Sequence, residues 1–381
     1  MINLYKKILA DKGSEKQDTV NNPLSFYLAN NDEKVEFLNT NVITMNILMS
    51  GQFDGGLPLG RITMMSSPSK YGKTFIALSI IKSAQKKGMQ VVILDTERRF
   101  PIKSAKSFGI DTSPEKLIIF KENNIDEIRT IILKTLDGIP REERKNILFI
   151  IDSWGTLVSS KSIEDGLVGK NTKDMTLSQK KNELANILNN TFATYFVINH
   201  VYTNVGGYGE PLSIPGGQRL YFVSSSVVLC SSRAKDKDKN KIVNGYIITA
   251  KAHKGDFCKE DKVLEFRIRL EGGLDTFYGL KEDAIEAGVI ENSKPGWFIR
   301  KHIKDDIPVK EENIYTADFW LPIFKQTKFG EFLNNKYQYS SDFDIVKNEE
   351  KLETISDVDE VPQVPQELTT ENPDKIKKGK K

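Results

Sequence analysis

Arg61-Ile-Thr-Met-Met-Ser-Ser-Pro-Ser-Lys-Tyr-Gly-Lys-Thr74, continuing as Phe75-Ile-Ala-Leu-Ser-Ile-Ile-Lys82, decides the fold of this chain. Arg61–Ser66 reads as a strand, and Thr74–Lys86 as a helix with Ile76, Ala77, Ile80, Ile81 and Ala84 on one face. The turn between them opens a helix, so its main-chain N–H groups point at whatever anion sits there. Ser69, Lys70, Tyr71, Gly72, Lys73 and Thr74 are therefore expected to cradle the phosphates of a nucleoside triphosphate. Lys73 would reach the β/γ oxygens and the Thr74 hydroxyl would ligate Mg²⁺. Ser67 stands where the pattern usually has its first glycine. A Gly-Lys-Thr triplet also opens ordinary helices, so the surroundings must decide.

Working outward, Gln90–Asp95, Asn146–Asp152 and Tyr195–Asn199 are near-continuous apolar runs, with helical patterns at 125–137 and roughly 176–192 between them. A parallel sheet covered on both faces demands such strands. Each run ends in a polar group. Asp152 fits a carboxylate that holds the magnesium shell, and Glu97, just past Asp95, fits a base for an attacking water. His200, after Asn199, fits a γ-phosphate sensor. Each has a plain structural reading too: a strand-end cap, a solvated charge, a core histidine. All fall at the carboxyl ends of strands, the edge on which such sheets bind ligands. Together they favour a nucleotide hydrolase core.

Composition limits the alternatives. The chain has 381 residues, 39% hydrophobic and 28% charged, enough for two or three units with a sizeable core. No apolar run reaches the ~18 residues of a membrane span. The opening MINLYKKILADKGSEK lacks an apolar signal core. The cysteines, Cys230 and Cys258, have no metal-type spacing, which points to a reducing cytosol. Net charge is only +3, from 55 Lys+Arg against 52 Asp+Glu, so any nucleic acid is held by local geometry.

Four segments follow. Residues 1–41 form an arm whose Ile2, Leu4, Tyr5, Ile8 and Leu9 recur at helical spacing, and 42–271 form the core. After about Val223 the strands alternate more, at Val227–Leu229, Tyr246–Thr249 and Leu264–Leu270, and are expected to be antiparallel. Residues 272–339 read as a small appended domain with helices at 280–287 and 317–334. Residues 340–381 are acidic, then basic, and read as a disordered tail.

The stretches Met45–Gly51, Pro68–Lys70, Ile150–Ser153 with Glu164-Asp165, Ile198–His200, Gly272–Asp275, Tyr278–Leu280, Gly296-Trp297 and Phe319–Lys325 with Tyr337-Gln338 resemble the RecA family of strand-exchange recombinases. The likeness runs from about residue 24 to 338 and is greatest to the T-even phage branch. It implies an α/β fold: a RecA-type P-loop ATPase core with a mostly parallel central sheet, an N-terminal oligomerisation arm and a small C-terminal α+β domain. It also implies ATP with Mg²⁺, and a helical homo-oligomer on single-stranded DNA that pairs it with a homologous duplex. Recombination, repair and replication in a bacterial host's cytoplasm are the implied setting, with a mediator and a single-strand-binding protein as partners and no membrane.

By position in that family, Lys73 and Thr74 belong to the phosphate loop, Glu97 is the catalytic base, Asp152 the magnesium-shell acid and His200 the sensor. Lys251, His253 and Lys254 match the segment that completes a neighbour's site, with histidine at its second basic position. Two DNA loops are implied, roughly Ser159–Thr176 and Val201–Gly217. Gly216 and Gly217 match a backbone contact, while Lys170, Lys173, Lys180, Lys181 and Arg219 are candidates for phosphate. Phe26 and Ala29 resemble the plug that related recombinases insert into a neighbour. Ser104 stands where the family has a base-stacking tyrosine, leaving Tyr71 as a candidate, and Arg98-Arg99 replace smaller residues or histidine. A RecA-core hexameric helicase and a catalytically decayed nucleotide-binding mediator are the rival readings.

Overall fold

Ile62–Ser67 (β1), Gln90–Asp95 (β2), Leu117–Phe120 (β3), Ile147–Asp152 (β4) and Thr194–His200 (β5) carry the apolar runs. Ser226–Lys237 (β6), Val243–Gly255 (β7), Val263–Arg269 (β8) and Gly273–Leu274 (β9) complete one nine-stranded sheet, ordered β9-β8-β7-β6-β1-β5-β4-β2-β3. From β6 across to β3 every neighbouring pair is parallel, and β6, β7, β8 and β9 pair antiparallel. The structure, a computed structural model, describes residues 35–167, 176–203, 212–213 and 218–339. The arm motif at Phe26 and Ala29, Lys170, Lys173, Gly216, Gly217 and the tail from residue 340 lie outside them.

Side chains alternate across a strand, so both sheet faces need cover. Ile43–Ser50 (α1) and Lys73–Lys86 (α2) cover one face, over Met65, Ile93, Ile150 and Ile198. Ile125–Leu136 (α3) and Thr176–Thr191 (α4) cover the other, over Met64, Leu94, Phe149 and Val197. Asn124 caps α3 by accepting from the Asp126 N–H at 3.0 Å. Gln218–Val223 (α5) leads into β6.

Three departures from the expected elements have physical causes. β3 was not foreseen: Leu117-Ile-Ile-Phe120 is a four-residue edge strand, too short to show a period. β6 runs on well past Leu229, because Lys235 and Asp236 keep pairing with Tyr246 and Gly245, which leaves only the Lys/Asp-rich stretch Asp238–Lys241 to turn. Its first residues also pair parallel with β1, making β6 the joint between the two strand regimes. The helix expected over 317–334 is two helices. The Thr327 hydroxyl donates to the Ile323 carbonyl at 2.7 Å and accepts from the Phe329 N–H at 3.1 Å. One side chain thus ends Ala317–Gln326 (α7) and starts Phe329–Tyr337 (α8).

Between β9 and α7 lie Lys281–Glu286 (α6) and a three-stranded antiparallel sheet of Ile290–Lys294, Trp297–Arg300 and Val309–Lys310. Buried Leu280, Ile290, Phe298, Trp320 and Phe329 join the same apolar cluster as α1 and α2. Asp283 on α6 accepts from the Tyr337 hydroxyl at 2.9 Å and the Lys336 ammonium at 2.7 Å on α8. At the other end, Phe37-Leu38 pairs with Leu57-Pro58, and Leu38 and Thr40 are buried. Among the described residues no helix is long and apolar enough to cross a membrane.

Candidate active site

Register brings the polar strand ends together. Ser67 on β1 is paired with His200 on β5, and Asp152 on β4 with Asp95 on β2. Because β1, β5, β4 and β2 are consecutive and parallel, the phosphate loop, Glu97, Asp152 and His200 share one edge of the sheet.

The phosphate loop leaves β1 at Ser67 and turns through left-handed backbone at Lys70 (φ 69°) and Gly72 (φ 85°). A side chain on Gly72 would meet Ile268 Cδ1 at 2.4 Å and would have to take left-handed backbone, so both space and backbone favour glycine there. Ser67 is the last residue of β1 and needs no such conformation, which is why serine serves in place of the usual glycine. The first main-chain bond into α2 runs from Ile76 N–H to the Gly72 carbonyl at 3.0 Å. The N–H groups of Lys73, Thr74 and Phe75 therefore have no intrahelical acceptor and are directed at the loop.

The Lys73 ammonium is buried and donates to the Ser67 carbonyl at 2.8 Å, the Pro68 carbonyl at 2.9 Å and Ser67 Oγ at 3.0 Å. Burial pulls its pKa below the usual lysine range, while Cys230, Asp152 and Glu97 work the other way. Ser67 thus gives Lys73 a side-chain acceptor that glycine could not.

Glu97 accepts from the Ser153 hydroxyl at 2.8 Å, and its Oε1 lies 2.8 Å from His200 Nε2. Burial works to raise its pKa, but the contacts to His200 and Ser153 and the Arg99 charge outweigh it and hold the carboxyl low. Asp152 behaves oppositely. Burial, with Glu97 and Asp95 nearby, pushes it up to about 6 against the pull of Lys73. A carboxylate left short of positive charge at the end of a buried strand is what a divalent cation would neutralise. Asp152 and the Thr74 hydroxyl therefore fit Mg²⁺ on a triphosphate, and the donor-rich turn fits the phosphates.

Sequence reasoning missed the scaffold of this edge. Asp95 is only 2% exposed and accepts from the Arg99 N–H at 3.0 Å and the Phe100 N–H at 2.9 Å, fixing the turn that carries Glu97. Thr96 donates to the Ser153 carbonyl at 2.9 Å and accepts from the Ser153 N–H at 2.6 Å. Only the position of Asp95, two residues before Glu97 at a strand end, hinted at this.

The remaining candidates fall elsewhere. Lys251 and His253 lie on β7; Lys251 pairs with Asp261 at 2.7 Å and the His253 ring meets Tyr221 edge-on at 5.7 Å. Lys254 donates to the Tyr221, Phe222 and Ser224 carbonyls at 3.3, 2.7 and 2.7 Å, closing the end of α5. Lys180 is paired with Asp126 at 2.7 Å. The phosphate contact expected of Lys181 does not fit its placement. It is only 8% exposed and shares the buried stripe of α4 with Leu184, Ala185 and Leu188. Arg219 stays exposed, its Nε donating to Asn186 Oδ1 at 2.5 Å. Ser104 is exposed on the short helix Ile102–Ser107, and Tyr71 packs against the main apolar cluster.

Comparison with known proteins agrees with this geometry. A sequence model of the RecA N-terminal domain matches residues 21–275, more than half of the chain. The chain is similar to the recombination and repair protein of Enterobacteria phage T4 (UvsX), with 28% identity over 317 residues that cover 80% of this chain and 79% of that protein. It is also similar to protein RecA of Thermus aquaticus, 31% over 250 residues (64% and 70%), and of Campylobacter hominis, 27% over 334 residues (83% and 89%). The chain belongs to the RecA family of DNA-dependent ATPases, proteins of recombination and repair.

Proposed function

We propose that this protein coats single-stranded DNA as a helical filament of its own copies and uses ATP with Mg²⁺ to drive homologous pairing and strand exchange. The observation that carries the proposal is the convergence of Lys73, Glu97, Asp152 and His200 on one strand-end edge. Lys73 and the donor-rich turn would bind the phosphates, and Mg²⁺ on Thr74 and Asp152 would supply charge neutralisation. Glu97 would take a proton from the attacking water, while His200 holds that carboxylate through Nε2. Contact of His200 with the γ-phosphate would compete with its contact to Glu97. Nucleotide state would thereby bias two filament states, one that holds DNA and one that releases it.

Lys251 and His253 from a neighbouring copy would complete the site, with Lys254 as the alternative in that role. Phe26 and Ala29 would seat the arm on a neighbour. Gly216, Gly217, Arg219, Lys170 and Lys173 would meet DNA, with residues 272–339 as an appended domain and 340–381 as a tail. A mediator and a single-strand-binding protein in the bacterial cytoplasm would be the working partners.

ATP turnover with and without single-stranded DNA, on samples viewed by negative-stain electron microscopy, tests this. DNA-stimulated turnover with open helical filaments is the expected result. Closed rings would support a motor, and absence of both stimulation and filaments a decayed mediator.

A further inference from the structure

Glu97, His200, Pro68 and Ser69 line a cleft of about 490 Å³ on the open side of the phosphate loop, and Arg99 and Tyr202 stand at the same wall. Its charge is unbalanced for a triphosphate. Glu97 is held as an anion, and His200 Nε2 is engaged by it. Lys73 is drawn back beneath the loop by the Ser67 and Pro68 carbonyls. Among the described residues lining the cleft, Arg99 is the permanent cation.

Its placement is built. Arg98 takes left-handed backbone (φ 57°), and the next two N–H groups, of Arg99 and Phe100, each donate to one oxygen of buried Asp95. The Asp95 carboxylate is thereby spent on main chain and is not directed at the guanidinium. Among the described residues the Arg99 side chain makes no ion pair or hydrogen bond, unlike Arg300, which is paired with Asp306. An exposed guanidinium on a fixed base, facing a cleft beside a phosphate loop, suits phosphate oxygens, which its planar fork binds with two parallel bonds.

We infer that Arg99 is a ligand of the γ-phosphate acting within its own chain, so that each copy supplies a cation at the mouth of its own cleft. The inference rests on the active-site proposal above and adds a residue to it. The end of the triphosphate would then be held from two sides, by Lys73 at the loop and by Arg99 across the cleft.

The test is equilibrium binding of Mg²⁺ complexes of ADP and of a non-hydrolysable ATP analogue to the full chain without DNA. Arg99→Ala should weaken the analogue by about 10- to 100-fold, the usual loss for a hydrogen bond to a charged group, and leave ADP almost unchanged. Arg99→Lys should recover part of the loss. Arg98→Asn, which removes a neighbouring charge while tolerating the left-handed backbone, should bind both nucleotides normally. Equal weakening of ADP and analogue, or no change in either, would overturn the assignment of Arg99 while Lys73→Ala still loses nucleotide binding. If Lys73→Ala also binds both nucleotides normally, the active-site proposal itself fails.

Discussion

His200 Nε2 and Glu97 Oε1 lie 2.8 Å apart across the strand-end edge, and Ser153 Oγ donates to the same carboxylate oxygen. Burial alone would raise the Glu97 pKa; these contacts, with the Arg99 charge, bring it below the ordinary range. The base must be ionised to accept a proton, so a low pKa keeps it competent at lower pH. His200→Ala should therefore shift the acid limb of the kcat/KM profile to higher pH, and Ser153→Ala should shift it the same way by less. An acid limb that stays in place in both variants would remove Glu97 from the role of base. Glu97→Gln should lose about 10²- to 10⁴-fold in turnover while still binding nucleotide, leaving long-lived filaments.

Lys73 has three oxygen acceptors in the phosphate loop, all on Ser67 and Pro68. Nucleotide must draw the ammonium off those acceptors to engage it. Lys73→Ala should therefore abolish ATP hydrolysis, a loss of at least about 10²-fold, while the apoprotein keeps its fold because α2 is anchored by its apolar face. Circular dichroism beside the ATPase assay separates the two effects, and an active Lys73→Ala would refute the loop assignment.

Asp152 gives a prediction in which losing a catalytic group stabilises the protein. Its pKa is raised from 3.8 to about 6, chiefly by burial and then by Glu97 and Asp95. A raised folded-state pKa favours the protonated form, so the native state is favoured below pH ~4 and loses that advantage as pH rises through ~6. Above that the carboxylate costs on the order of 1–3 kcal/mol. Without nucleotide and Mg²⁺, Asp152→Asn should melt higher than the parent at pH 8, with the gap narrowing toward pH 5. A gap that is the same at both pH values would show that Asp152 is not the strained carboxylate.

Much of this edge was legible in the chain because parallel strands buried on both faces must be nearly all apolar, so the polar residues that end them stand out. Glu97, Asp152 and His200 are visible for that reason, and so is the helix after Thr74. The carboxylate contacts of Asp95 are not, since they depend on the left-handed turn at Arg98, which no local pattern announces. Lys181 reads as a candidate phosphate contact because a lysine looks solvated in isolation. Counted from Leu184, Ala185 and Leu188 it falls on the buried stripe of α4. The break at Thr327 is hidden because apolar residues recur at helical spacing on both sides of it, at Phe319, Trp320 and Ile323 and again at Phe329, Phe332 and Leu333.

The α4 lysines yield a test of what holds DNA. Burial lowers the Lys181 pKa, and among the described residues its ammonium approaches the Gly155 carbonyl, at 3.4 Å. Lys180 is taken by Asp126 in a half-exposed pair that adds about 0.2–1 kcal/mol of stability. Lys181→Met should leave single-stranded DNA affinity and its salt dependence unchanged. A lysine neutralising one phosphate would instead flatten the log–log salt slope by about 0.7. Such a flattening in Lys181→Met would mean that the side chain leaves its buried site to meet DNA.

Trp320 on α7 tests how firmly residues 272–339 are tied to the rest. It is fully buried, lies 5.9 Å from Phe329 on α8 and 6.4 Å from Phe277 ring to ring, and belongs to the cluster that contains α1 and α2. Removing the ring opens a cavity at the joint, so Trp320→Ala should cost about 3–5 kcal/mol. Its indole Nε1 is buried and has no hydrogen-bond acceptor among the described residues, so packing is what holds the ring there. Trp320→Phe keeps most of that packing and discards an unsatisfied donor, and it should cost well under half as much. Denaturant unfolding followed by both circular dichroism and tyrosine fluorescence distinguishes two cases. Coincident transitions that move together in Trp320→Ala are expected, because the helices and the sheet share one apolar cluster. A separate early transition confined to the variant would mean that the appended elements unfold on their own and that Trp320 stabilises only them.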